Sequence, residues 1–194
     1  MVINTPTLEN KIKIILFSIL LVIFSSASLS ISIGIFSILI KNEFVLQLCT
    51  LLSFIISFII IPILFIKLFK LNSVEGLSIN VNKCLLIFLC FIFMSFITKD
   101  YLITFYFLCV AIGEEYLFRH IIYKILSKEF NIVLISIIGS ILFGFLLHLN
   151  EPFLINLINR FPSSIILYFI RYNINLSFSI ITHWIYNLLL TYLG

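Results

Sequence analysis

The chain has 194 residues, of which 62% are hydrophobic and only 10% charged, whereas soluble domains carry about a quarter of charged residues. That excludes a water-soluble globular domain, and the formal net charge of +4 is no nucleic-acid footprint, because its Lys and Arg stand singly between apolar runs. Several runs, notably 14–40, 44–66 and 174–193, reach the ~20 residues that span a bilayer. They are apolar on both faces, which excludes a barrel of alternating strands and predicts an all-α, polytopic transmembrane helical bundle.

Breaks at charge and turn clusters predict seven helices, near 14–40, 44–66, 84–98, 101–126, 130–149, 153–170 and 174–193. Lys11 and Lys13 precede the first, but the apolar run continues to Ile40, far beyond the 7–15 residues of a signal h-region, so a retained first helix without processing is expected. The small residues of that helix, from Ser25 to Gly34, suit close approach of another helix. The longest polar connection runs from Leu71 to Lys83, with Asn72, Gly76 and Asn80. The helix near 153–170 is interrupted by Arg160, Pro162, Ser163 and Ser164. With no linker, repeat or low-complexity tract, residues 1–194 read as a single membrane domain.

A cytoplasmic N-terminus puts Lys11, Lys13, Lys67, Lys70, Lys83, Arg119, Lys124, Lys128 and Arg171 inside, against Lys41, Lys99 and Arg160 outside. The positive-inside rule favours that orientation in the cell membrane. Cys49, Cys84, Cys90 and Cys109 lie inside apolar runs with no ligand-like spacing, so neither a zinc site nor a disulfide framework is read from them, and all four are expected to be buried spectators.

Six of the eight acidic residues, Glu9, Glu43, Glu75, Asp100, Glu129 and Glu151, fall at helix ends or connections. Glu114 and Glu115 are the exceptions, 13 residues into the run that starts at Tyr101. An ionised side chain at that depth costs about 2.5–3.5 kcal/mol or more and needs partners or a wet cavity. Arg119 stands four residues after Glu115 and shares its helix face. Glu114 points about 100° away and is left for chemistry. The bland alternative is a buried ionic knot that only fixes helix packing.

The three histidines weigh against it. His120 reads as an interfacial spectator. His148 and Glu114 average to position 131, at the turn of the predicted hairpin, so they meet at similar depth. His183 and Asn187, spaced i, i+4, share a face of the last helix. A single aspartate, Asp100, excludes an intramembrane aspartyl dyad within one molecule. No H-E-x-x-H or G-x-S-x-G motif occurs, which leaves a carboxylate-plus-histidine site, although a serine/histidine pairing is not refuted by motif absence.

E-E-Y-L-F-R at 114–119, F-G-F-L-L-H at 143–148 and H-W-I-Y-N at 183–187 resemble the three motifs of the CAAX prenyl protease type II and bacteriocin-processing (Abi, or CPBP) family of intramembrane endopeptidases. One departure is Gly144, where the family usually has Phe four residues before the histidine. The resemblance implies a catalytic core over 101–194, with Glu114, Glu115, Arg119, His148, His183 and Asn187 as its site. It implies hydrolysis of a peptide bond in a peptide or prenylated, lipidated protein substrate, by a water that Glu114 and His148 hold. Glu114 acts as general base, efficiently if burial raises its pKa toward the working pH. Glu115 and Arg119 orient the site, and His183 and Asn187 donate to the oxyanion, a role worth about 3–4 kcal/mol per donor.

This account uses no cofactor. Glu114, His148 and His183 would alternatively ligate zinc with a water in the fourth position, and both arrangements stay open at this stage. Three readings follow: an intramembrane protease; a catalytically silent membrane scaffold or bacteriocin self-immunity protein; and an ion or proton relay, for which the matched half-repeats of transporters are missing. The partners expected are a peptide or lipidated substrate and the lipid bilayer, with no nucleic acid. Nothing in the sequence sets the oligomeric state.

Overall fold

In the computed structural model, which describes residues 8–71 and 81–193, seven helices run in chain order: α1 (Leu8–Leu39), α2 (Glu43–Leu68), α3 (Val81–Thr98), α4 (Tyr101–Leu126), α5 (Ile132–Leu147), α6 (Phe153–Asn173) and α7 (Leu176–Leu193). The expected helix count and order are borne out, and no strand occurs among the described residues. Most of the expected polar connection, with Asn72, Glu75, Gly76 and Asn80, lies outside the described residues. The helices start where Asx side chains cap them: Asn42, Asp100, Asn131 and Asn175 accept from the amides of Val45, Ile103, Leu134 and Phe178 at 3.0–3.2 Å. The chain's one aspartate is thus a helix cap.

Five helices, α1 to α4 and α6, are long and apolar enough to cross a bilayer, and α5 is a shorter apolar helix. Their outer faces carry exposed Leu, Ile and Phe, and α3 buries no residue at all. In water those faces would be an extended unpartnered apolar surface. In lipid they are the protein's outer wall, so the chain is a multi-pass membrane protein.

The larger core cluster joins α1, α2, α4, α5 and α6 around Leu21, Phe58, Phe118, Ile121, Phe143 and Tyr168. A second joins α4 to α7 through Leu108, Ala111, Ile180 and Trp184, and the Trp184 indole donates to the Thr104 carbonyl at 2.9 Å. Glu114 and Glu115 sit on α4 among these clusters, so their surroundings come from both. The small-residue face of α1 packs only in part: Ser18 and Ser25 are fully buried, whereas Gly34 has no neighbour near its missing Cβ.

Helix continuity is preserved across two prolines. The bonding widens to π geometry over Ile56–Ile60 and Asn156–Arg160, immediately before Pro62 and Pro162. Proline cannot donate to the preceding turn and its ring crowds the carbonyl four residues back, so a wider turn there removes the conflict. α6 therefore runs unbroken through Arg160, Pro162 and the serines expected to interrupt it. Arg160 lies within α6 and is paired with Glu151 in the turn before it.

Candidate active site

α4 also widens to π geometry over Tyr116–Ile122, one residue after the two glutamates, yet the i, i+4 pair survives. Arg119 NH1 lies 3.0 Å from Glu115 Oε1, with both side chains fully buried. Glu115 is saturated. The same Oε1 is 2.8 Å from His183 Nδ1, and Oε2 accepts a short hydrogen bond from Ser179 Oγ. Two hydrogen-bond partners and the Arg119 cation thus surround this one carboxylate.

Arg119 in turn ties the bundle together. Its NH2 donates to Ser164 Oγ at 2.8 Å, and its guanidinium lies 4.7 Å from the Phe143 ring centroid and 4.9 Å from that of Tyr168. Among the described residues its Nε and NH1 find no hydrogen-bond partner, and the two ring faces, with the Glu115 ion pair, supply the electrostatic contact that a desolvated cation needs. The Tyr168 hydroxyl donates to the Phe118 carbonyl at 3.1 Å, completing a knot of α4, α5, α6 and α7.

Glu114 is 6% exposed and stands outside that knot. Its Oε2 is 3.5 Å from His183 Nε2, so His183 bridges the two adjacent glutamates with its two ring nitrogens. Glu115 and Arg119 carry opposite charges within the knot, which leaves Glu114 and His183 as the second facing pair.

His148 closes α5, its backbone having left helical geometry at φ −102° and ψ 41°. The charges of Glu114, Glu151, Arg160 and His183 all bear on its ring. The Phe143 ring stands edge-on to both His148, at 5.0 Å, and His183, at 5.8 Å. Among the described residues, His148 Nε2 is buried with no hydrogen-bond partner. Asn187, one turn beyond His183 on α7, is buried but outside the hydrogen-bonded set. His120, expected at the interface, is buried and stacks on Tyr116 at 5.3 Å.

The structure thus brings Glu114, Glu115, Arg119 and His183 into contact, sets His148 near them, and leaves Asn187 a turn away. Sequence reasoning missed Ser164, Ser179, Tyr168, Glu151 and Arg160 as partners. Only Ser179 carried a signal, since it precedes His183 by four residues and Asn187 by eight. Among the described residues no three His, Cys, Asp or Glu side chains converge as a metal-holding group. Glu114, His148 and His183, the alternative zinc ligands, are not such a group among the described residues. The four cysteines are not all buried: Cys84 is exposed, and the other three are partly covered.

Two adjacent buried carboxylates, an arginine and a bridging histidine inside apolar helices define a multi-pass membrane protein with a polar site within its bundle. Residues 96–189 match the family model of Type II CAAX prenyl endopeptidase Rce1-like proteins, a stretch that contains all six site residues, and the resemblance of the three motifs is borne out. No curated protein and no solved structure matches the chain.

Proposed function

We propose that the chain is a CAAX-type intramembrane protease that cuts a peptide bond of a peptide or prenylated protein substrate with a water held between Glu114 and His148. The observation that carries this reading is the different fate of the two neighbouring glutamates. Glu115 is consumed by Arg119, Ser179 and His183, while Glu114 faces His183 Nε2 at 3.5 Å with His148 in its field. Of the two, Glu114 is the one free to exchange a proton.

In the reaction Glu114 accepts the proton of the water as its oxygen attacks the substrate carbonyl, and the lone pair of His148 Nε2 helps orient that water. Negative charge collects on the carbonyl oxygen, where His183 in its protonated form donates through Nε2 and Asn187 through its amide. Glu114 then returns the proton to the departing amine as the C–N bond breaks, giving a carboxylic acid, which keeps the water's second proton, and an amine. Glu115 acts only through His183, which it orients, and Arg119 only through Glu115.

The test uses purified protein in lipid vesicles, offered a farnesylated peptide ending in a CAAX tetrapeptide and the same peptide without the prenyl group. Wild type is expected to release the C-terminal fragment and Glu114→Gln to release none above background. Equal release by Glu114→Gln would remove this carboxylate from the chemistry. Cleavage of the unprenylated peptide alone would replace the prenylated substrate with a plain peptide.

A further inference from the structure

The short turn between α5 and α6 holds a second set of charged groups that the mechanism above does not use. Glu151 accepts from Arg160 through both oxygens, Nε to Oε2 at 3.1 Å and NH2 to Oε1 at 2.5 Å. The side chains of Glu151 and Arg160 are 25% and 22% exposed, in contrast to the fully enclosed Glu115 and Arg119. On its inner side the same Glu151 Oε1 lies 3.8 Å from His148 Nδ1.

The His148 backbone is fixed independently. Its carbonyl accepts from the Glu151 amide at 3.1 Å and from Asn156 Nδ2 at 2.8 Å. Gly144, one turn earlier, lies against the same segment of α6: a Cβ there would stand in ordinary contact, 3.4 Å from the Phe161 amide nitrogen and 3.6 Å from Arg160 Cβ.

We propose that Glu151 is a positioning residue for His148: its carboxylate, clamped by Arg160, keeps the imidazole proton on Nδ1 and leaves the Nε2 lone pair facing the Glu114 site. A neutral imidazole has one N–H, and the group beside one nitrogen decides which carries it. Here a carboxylate faces Nδ1, while Nε2 is buried without a hydrogen-bond partner among the described residues. The bidentate clamp keeps the carboxylate from turning away. The inference rests on the protease reading for its catalytic meaning, but the tautomer is observable without any substrate.

Because the chain has only three histidines, ¹⁵N-histidine labelling of the full chain in lipid nanodiscs gives three imidazoles, and His148→Phe assigns the one needed. Wild-type His148 is expected to be neutral, protonated on Nδ1 and bare on Nε2. Glu151→Leu should move the proton to Nε2, and cells carrying it should yield at most a tenth of the cleavage products that Glu114→Gln abolishes. The double variant Glu151→Arg with Arg160→Glu rebuilds an ion pair across the turn but sets a cation beside Nδ1, so its tautomer and product yield should stay as in Glu151→Leu. A wild-type ring protonated on Nε2 or on both nitrogens, or wild-type yield from the double variant, would overturn the proposal and reduce the pair to a staple of the turn. If Glu114→Gln itself retains the products, the protease reading fails instead, and the tautomer still decides whether Glu151 sets the ring.

Discussion

Glu114 and Glu115 are neighbours with the same side chain, and their different partners separate their roles: both face His183, but only Glu115 also meets Arg119 and Ser179. Glu115 with Arg119 is a closed structural unit. Removing the cation by Arg119→Ala leaves an uncompensated buried carboxylate, and the expected loss is about 3–5 kcal/mol, seen as a lowered unfolding temperature in detergent. Ser179→Ala removes one donor to a charged acceptor and should cost about 1.5–3 kcal/mol in the same measurement. The Glu115–Arg119 pair was legible in the sequence because i, i+4 spacing fixes which side chains meet. Ser164, Ser179 and Tyr168 were not, because serines and aromatics recur throughout an apolar chain and only the fold selects those that face Arg119.

The elements show where local rules overrule a reading by composition. The polar, proline-bearing stretch 160–164 reads as a break in a helix, but the π turn before Pro162 absorbs the proline and keeps α6 whole. The same device precedes Pro62 in α2, and no residue pattern announces it. Close packing of α5 on α6 depends on Gly139, where a Cβ would fall 2.1 Å from the Tyr168 hydroxyl and 2.3 Å from its Cζ. A fixed ring cannot yield that distance, so Gly139→Ala should destabilise by about 1–3 kcal/mol and disturb the Tyr168–Phe118 hydrogen bond. Gly34→Ala, with open space around it, is the matched control and should leave the unfolding temperature unchanged. The sequence presented Gly34 as the packing glycine and gave Gly139 no prominence, since contact across helices is invisible in one chain.

At the scale of the whole molecule, seven helices and their order followed from hydropathy because continuous apolar runs and Asx caps act locally and agree with one another. Exposure followed less well. Cys84 faces outward on α3, the helix with no buried residue, since an apolar sequence does not distinguish a face toward lipid from one toward protein. We propose that the N-terminus is cytoplasmic, as the distribution of Lys and Arg favours. With Cys49, Cys90 and Cys109 changed to Ser, an impermeant maleimide should then label Cys84 in inverted membranes and not in intact cells; labelling in intact cells would reverse the orientation.

The central claim, that Glu114 activates water inside the bundle while its neighbour only holds the site, is tested most directly in host cells carrying the wild-type gene, a deletion or Glu114→Gln at expression matched by immunoblot. Glu114→Gln removes the base while nearly conserving volume. The account predicts that it loses the same released peptide termini as the deletion, with its unfolding temperature close to wild type. Release of the full wild-type set by Glu114→Gln would contradict it and leave the buried cluster as the packing knot of a membrane scaffold.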